Sequence, residues 1–353
     1  MTAVRGEVLF LPYSAWGHVA PMLAVAAELA VRGVPVSVLA AERYRAAIAA
    51  AGAQAVVPAT DRIVRVPAGL RPHELVDRGR LWFGRRSVRG DTLRTLRPRL
   101  QCGRSVLCVV DPHLRIGGRL FEVNRAPAVQ FWTTYPRWRS GRSGLALANL
   151  LPDLWPGGVQ YEGIRSVGPL ICDHPVADAA PVSLPRRGRL LVVSPGTVFA
   201  RSAEFFRTVI AAFAGSEWTV VLATTHLPVE VLGPLPSNIH AYSWIRQGEL
   251  VRRADVLLTH GGISSVQEAI LAGTPMVLAP RSREQCRTVR RVCALGGGVW
   301  LRADRLRAQV EQLVVDPVVR ARLGELQARA AARAGAAIAA DMLMDIADHR
   351  LGL

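Results

Sequence analysis

The sequence predicts an α/β protein built as two parallel-sheet domains that face each other across a cleft. Three observations lead there. The chain has 353 residues, more than the ~250–300 at which a single core usually stops growing. Short apolar runs alternate with helical stretches from the start of the chain, and do so again from Arg189 onward; that alternation places helices on the faces of a parallel sheet. Between the two series lies an aperiodic stretch, 167–187, holding Pro169, Pro175, Pro181 and Pro185, which reads as a linker.

The first series opens with a strand at residues 8–12 and a loop over 13–18. Pro21 is expected to open a helix running to Arg32, with Gly33 just past its end; proline early and glycine late suit helix boundaries. A strand at 35–40, a helix at 44–51 stopped by Gly52 and a strand at 54–57 follow. Residues 105–110 form another apolar strand that runs into Asp111-Pro112, 117–124 reads as a helix, and 128–132 as a strand. The segment 136–158 has no readable period. In the second series the strands are 190–194, 219–223, 239–242, 256–259, 276–279 and 299–301. The helices are 203–214, 264–272 and 284–294, and the tail from Val318 is helical. The domains expected are therefore 1–170, a linker at 171–188, 189–335, and a C-terminal helix at 336–353 placed to pack back on the first domain. In such a fold the cleft lies at the carboxyl ends of both sheets.

Composition narrows the function. Half the residues are hydrophobic and 20% are charged, so the chain can bury real cores and is not disordered. No uncharged apolar run reaches the ~18–20 residues of a membrane helix, and the N-terminus reads as a strand rather than a signal peptide. The five cysteines, Cys102, Cys108, Cys172, Cys286 and Cys293, include no C-x-x-C pair and are an odd number. They read as reduced thiols of a cytoplasmic protein. The net charge is +17, yet all 44 basic residues are arginine, which points to codon bias before nucleic acid. The arginine excess over residues 62–104 leaves room for an acidic partner, a helper protein or peripheral contact with a lipid surface, with Trp82, Phe83, Arg85, Arg86 and Arg89 as the amphipathic basic face. A solvated face accounts for the same residues. No nucleic-acid recognition motif is present.

The strongest chemical signal runs from Thr259 through His260-Gly261-Gly262-Ile263-Ser264-Ser265 to Glu268. A strand ends, two glycines let the backbone approach something closely, and a helix begins; free N–H groups there suit a diphosphate. A serine-capped helix after a glycine turn is the plainer alternative. In the first half, His18 and Asp111 both follow strands of one sheet and so reach the same cleft rim. A histidine near pKa ~6.5 is matched to taking a proton from a hydroxyl nucleophile, with the aspartate orienting it. A helix-cap histidine and an Asp-Pro turn are the bland counterparts.

From Trp244 to Gln285 the chain resembles the donor-binding signature of the family 1 glycosyltransferases, which include plant secondary-metabolite, glucuronosyl and bacterial macrolide enzymes. The residues concerned are Trp244-Ile245-Arg246-Gln247, His260-Gly261-Gly262, Ser265, Glu268-Ala269, Gly273-Thr274-Pro275, Pro280 and Glu284-Gln285. Gly17-His18-Val19-Ala20-Pro21, Phe131-Trp132-Thr133 and the Ser194-Pro195-Gly196-Thr197 turn are similar to the same family. The resemblance implies the GT-B fold, two facing Rossmann-like domains with an interdomain cleft. It implies an inverting, metal-independent transfer of a glucose-type sugar from a UDP- or dTDP-sugar to a hydroxyl of a small natural-product or lipid-like acceptor, with no other cofactor. In that pattern Trp244 stacks on the base, Ile245 meets the base edge through its backbone, and Gln247 and Glu268 hold the ribose. His260, Ser265, Thr197, Gly196, Gly262 and Ser264 surround the diphosphate, and Glu284 and Gln285 meet the sugar hydroxyls. His18 and Asp111 are catalytic, Trp16, Phe131 and Thr133 belong to the acceptor region, and no metal ligands cluster.

Two departures stand out. Ser264 and Arg246 occupy positions where relatives often carry asparagine or glycine, and proline, respectively. The segments 60–105 and 136–167 are short for the family, where they build the acceptor pocket, which suits a bulky or carried acceptor, or a pocket completed by a helper protein. They also motivate a second reading, a non-catalytic GT-B auxiliary that stabilises a partner transferase. A nucleotide-sugar epimerase is a third reading on the same fold.

Overall fold

A computed structural model of the protein describes residues 6–58, 90–100, 106–114, 116, 127–136, 146–158, 160–172, 188–198, 201–225 and 227–351. The first half contains β1 (Glu7–Leu11), α1 (Trp16–Val31), β2 (Val36–Leu39), α2 (Arg45–Ala50), β3 (Gln54–Val56), a helix α3 over residues 90–100, β4 (Val106–Val110), β5 (Ala128–Trp132), β6 (Ala146–Ala148) and β7 (Ile164–Ser166). Its strands form one sheet in the order β3-β2-β1-β4-β5-β6-β7, with every pairing parallel. The second half contains β8 (Arg189–Ser194), α4 (Ala203–Phe213), β9 (Trp218–Ala223), β10 (Ile239–Tyr242), α5 (Gln247–Val251), β11 (Val256–Thr259), α6 (Ile263–Ala272), β12 (Met276–Leu278), α7 (Arg283–Ala294), β13 (Gly298–Trp300), α8 (Leu306–Val315), α9 (Pro317–Ala331) and α10 (Gly335–Leu351). Its parallel sheet runs β10-β9-β8-β11-β12-β13. The two-domain α/β class expected from the alternation is therefore present.

The central strands are apolar throughout because both of their faces are covered. On β1, Val8 and Phe10 point into a core shared with α1, while Leu9 and Leu11 pack with Leu96 of α3, Cys108 and Val110 on the other side. In the second sheet, Leu191 and Val193 meet Phe206, Val209 and Phe213 of α4. Their neighbours Leu190 and Val192 face a cluster that includes Leu250 and Ile270.

That last cluster joins the halves. Tyr135, Leu150, Leu151, Leu154 and Trp155 of the first half are buried in it together with Val266, Val289 and Leu326 of the second. Gln267 of α6 is 1% exposed. Its Oε1 accepts the Leu151 N–H at 2.6 Å and its Nε2 donates to the Asn149 carbonyl at 3.3 Å. Arg333 donates to the carbonyls of Gly168 and Ser166, both at 2.8 Å. The chain then crosses back: α10 lays Ala339, Ala340 and Leu343 into the core beside α1. Gly335 permits that crossing, since a Cβ there would lie 2.1 Å from the Val167 carbonyl oxygen.

Two expectations are corrected. Helix α1 begins at Trp16, not at Pro21, which sits inside it; proline read as a first residue misled because the N-cap, Ala15, has no capping side chain to mark the true start. The segment without a readable period, 136–158, holds β6, with β7 just beyond it; strands of three residues are too short to show alternation. The helix expected at 117–124 lies outside the described residues, as do most of the arginine-rich stretch with Trp82, Phe83, Arg85, Arg86 and Arg89, and linker residues 173–187. Among the described residues, no helix is long and apolar enough to cross a membrane, and Cys108, Cys172, Cys286 and Cys293 are free thiols.

Leu343 is fully buried between α10 and the first sheet's helix layer. Leu343→Ala should lower unfolding stability by about 2–5 kcal/mol, the usual cost of such a cavity. Urea denaturation of the full chain reads it, and a loss under about 0.5 kcal/mol, typical of surface changes, would mean α10 is not docked there.

Candidate active site

Each sheet reverses its winding once. In the first, the reversal lies between β1 and β4, which pair Leu11 with Val110. The two connections that leave there diverge and open a crevice. One of them leads into α1, where His18 occupies the first turn rather than the preceding loop. The other begins with Asp111, whose N–H donates to the Leu11 carbonyl at 3.0 Å. His18 Nδ1 and Asp111 Oδ2 lie 2.6 Å apart. The carboxylate is fully buried, while the histidine side chain keeps 11% exposure at the crevice.

Two more groups complete this cluster. His113, one 3-10 turn beyond Asp111, places Nδ1 2.8 Å from Oδ1 and donates its backbone N–H to the same oxygen. Thr133, following β5, sets its hydroxyl 2.6 Å from His18 Nδ1 and donates to Asp111 Oδ2 at 3.3 Å. Burial acts to raise the Asp111 pKa, but the charge of His18 and the hydrogen bond of His113 outweigh it and hold the carboxyl well below the usual range. An ionised Asp111 accepts only, so Nδ1 of His18 donates to it and the Nε2 lone pair is left to take a proton. The His18 and His113 rings meet edge-on at 5.1 Å, with Tyr13 edge-on to His18 at 5.3 Å.

Sequence reasoning missed His113; the signal was its spacing, two residues after Asp111. It also held that no His or Asp ligands cluster, and that is corrected: ligand atoms of His18, Asp111 and His113 all lie within 4.8 Å of one another. Of the acceptor-region residues, Phe131 is corrected as well. It is 0% exposed in the first-half core, because alternation along β5 turns it inward. Thr133 belongs to the His18–Asp111 cluster, and Trp16 packs on Tyr44 with ring centroids 5.7 Å apart.

The second sheet reverses between β8 and β11. After β8 comes Ser194-Pro195-Gly196-Thr197, and after β11 comes His260-Gly261-Gly262. The His260 ring lies between the two loops so tightly that a Cβ on Gly196 would sit 2.4 Å from it and one on Gly262 2.5 Å. Gly196 also has φ +87°, where side chains are strained. Burial, then the charge of Arg201, push the His260 pKa down to about 4 against a hydrogen bond to the Ser194 backbone, so at neutral pH this ring is uncharged.

Helix α6 starts at Ile263 without a capping side chain, with Gly262 at its N-cap. The Ser264 hydroxyl instead donates across the cleft to the Gly17 carbonyl at 3.0 Å. Pro21 has no N–H to give that carbonyl four residues back, which leaves it open for Ser264. The first turn of α1, which holds His18, and the Gly-Gly bend are thereby tied together. One turn on, Gln247, Ser265 and Glu268 come together through their side chains. Gln247 Nε2 donates to Ser265 Oγ at 3.0 Å and to Glu268 Oε2, and the Ser194 hydroxyl donates to Gln247 Oε1.

Gln285 is 5% exposed and its Oε1 accepts the Arg281 N–H at 2.7 Å, so that oxygen shapes the turn into α7. Glu284 stands half-buried in the first turn of α7. Ile245 is buried in the cluster between the halves. Trp244 is partly buried, packed against the first-half core beside α1 and α10. Thr197 is half-buried on the loop after β8.

With this geometry in view, residues 207–346 match the model of the erythromycin biosynthesis protein CIII-like C-terminal domain. The second half is thus similar to that domain, and the whole chain has the GT-B fold. The chain is 33% identical over 187 residues to the NDP-glycosyltransferase YjiC of Bacillus licheniformis, covering 51% of this chain and 47% of that one. It is 31% identical over 166 residues to the demethyllactenocin mycarosyltransferase of Streptomyces fradiae, covering 45% and 36%. These matches span about half or less of the relatives' length. The crystal structure of the calicheamicin glycosyltransferase CalG4 superposes over 99% of this chain and 100% of that one, with TM-score 0.76 and 26% identity.

Two outcomes follow from the His260 wedge. Gly262→Ala should cost about 1–3 kcal/mol by overpacking, and Gly262→Ala with His260→Ala should cost less than the sum of the single changes, because the clash partner is gone. Additive losses by chemical denaturation would contradict the wedge. Because its folded pKa is depressed, His260 makes stability fall as pH drops from ~6.5 toward 4, by up to ~1.4 kcal/mol per pH unit. His260→Gln should flatten that slope in melting curves over this range.

Proposed function

We propose that the protein transfers a sugar from a nucleoside diphosphate donor to a hydroxyl of a small acceptor, with inversion at the anomeric carbon. The observation that supports this most is the His18–Asp111 pair, 2.6 Å apart at one sheet's reversal, tied through Gly17 and Ser264 to the Gly-Gly bend at the other. A base and a candidate diphosphate cradle thus face one crevice.

In this reading His18 Nε2 takes the acceptor's proton as the oxygen attacks. Asp111 keeps Nδ1 protonated and stabilises the imidazolium, a base effect worth about 10²–10⁴ in rate. The N–H groups at the start of α6 meet the departing diphosphate. Gln247 and Glu268 bind the ribose, Trp244 and Ile245 the base, and Glu284 a sugar hydroxyl. The donor is UDP- or dTDP-linked with a glucose-type sugar, and the acceptor is a natural-product or lipid-like alcohol. The reaction needs no divalent ion and no cofactor beyond the donor. The complete dyad argues against a non-catalytic auxiliary.

His18→Ala should lower kcat by about 10²–10⁴ while the donor's Kd stays within threefold; unchanged kcat would remove His18 as the base. The purified chain should bind UDP or dTDP, and at ~100 times Kd the nucleotide should add about 2.7 kcal/mol of stability. Turnover should survive EDTA. Loss of turnover restored by a divalent cation would instead make His18, Asp111 and His113 metal ligands.

A further inference from the structure

We propose that Arg201 binds the donor's diphosphate and is the cation that meets the charge leaving with the nucleotide. The inference rests on the reading of the second half as a nucleotide-sugar site, and assigns within it a residue that the sequence pattern did not single out.

Arg201 lies between β8 and α4, in the connection that leaves the second sheet at its reversal. Its guanidinium is held in place rather than trailing in solvent. Nη2 donates to the carbonyl of Ala279, just past the end of β12, and the guanidinium carbon stands 4.7 Å over the Phe205 ring. Its Nε–H is buried and has no acceptor among the described residues. Nor does any described carboxylate pair with it; the charged group felt at Arg201 is another cation, Arg281. A positioned arginine with a buried donor left over and no acid beside it is costly unless an anion arrives.

The surroundings indicate which anion. Arg201 is close enough to His260 for its charge to disfavour protonation of that ring, and His260 fills the space between Gly196 and Gly262. The uncharged His260 offers a hydrogen bond but no formal charge. The start of α6 offers only partial charge. A leaving diphosphate gains negative charge as the glycosidic bond breaks, and a fixed guanidinium is well matched to phosphate oxygens. Burial and Arg281 lower the Arg201 pKa to about 10, which still leaves it charged at neutral pH.

The test is isothermal titration of the full chain and its Arg201→Gln and Arg201→Lys variants with uridine, UMP and UDP, and with the thymidine series. Arg201→Gln should weaken the diphosphate about 10–100-fold, the worth of a hydrogen bond to a charged group. It should leave the nucleoside within twofold, and Arg201→Lys should fall between. An unchanged diphosphate-to-nucleoside ratio in Arg201→Gln overturns the assignment while the donor site stands. Equal losses for nucleoside and diphosphate also overturn it, by making Arg201 a structural residue. A wild-type chain that binds none of the six compounds overturns the donor-site reading and this inference with it. Should Arg201→Gln melt early, Arg201→Lys carries the comparison: it keeps the charge and loses the planar fork, so an unaltered ratio there together with folded Arg201→Met binding UDP normally is a negative result.

Discussion

A parallel sheet wound outward in both directions must reverse somewhere, and at the reversal two connections part at the carboxyl ends of adjacent strands. The two halves do this at β1/β4 and β8/β11. Groups of opposite chemical character gather at the two openings. A buried carboxylate with two imidazoles and a hydroxyl occupies the first. Glycines, a neutral imidazole, a helix start and an arginine occupy the second. The arrangement follows from strand order, and most of the chain serves to hold these two openings toward each other.

What fixes their separation is apolar. The cluster around Leu151, Trp155, Val266 and Val289 fuses the base of the crevice. Buried Gln267 adds direction to that contact through its bonds to Asn149 and Leu151, which an apolar surface alone lacks. Helix α10 closes the circuit by returning from the second half to the core of the first. Against that background the single hydroxyl bond from Ser264 to Gly17 is small, about 0.5–1.5 kcal/mol by the usual net worth of such bonds. It falls one residue from His18, so its effect is on where the base sits rather than on whether the halves associate.

Much of this was legible in the sequence, for identifiable reasons. Apolar strands of four to six residues, such as β1 and β8, stand out because both faces are buried. Glycine bends such as Gly261-Gly262 mark close approach. Less was legible where structure depends on partners distant in the chain. Strands β6 and β7 are short and owe their order to β5 on one side and the second half on the other. Phe131 reads as a site residue by motif and proves to be core, because its face is set by β5's register. The start of α1 was misplaced because Pro21, a familiar opening signal, sits inside the helix. The consequence of that placement, an unpaired Gly17 carbonyl that Ser264 fills, exists only once the two halves are folded together.

Charge was the least readable property. The arginine count of 44 carries no information about which arginines act, and several described ones pair with acids on helix surfaces, as Arg45 does with Glu42 and Arg307 with Glu311. Arg201 differs because the fold sets it on an aromatic face and a strand-end carbonyl, away from any described acid. The same fold removes the charge of His260 by burial and by Arg201 itself. The two effects are linked: a cation held at this opening keeps the neighbouring imidazole neutral. The site therefore presents the formal positive charge of Arg201, with Arg281 near it, beside a neutral donor, and placing an anion there would relieve both the lone N–H of Arg201 and the repulsion that depresses His260.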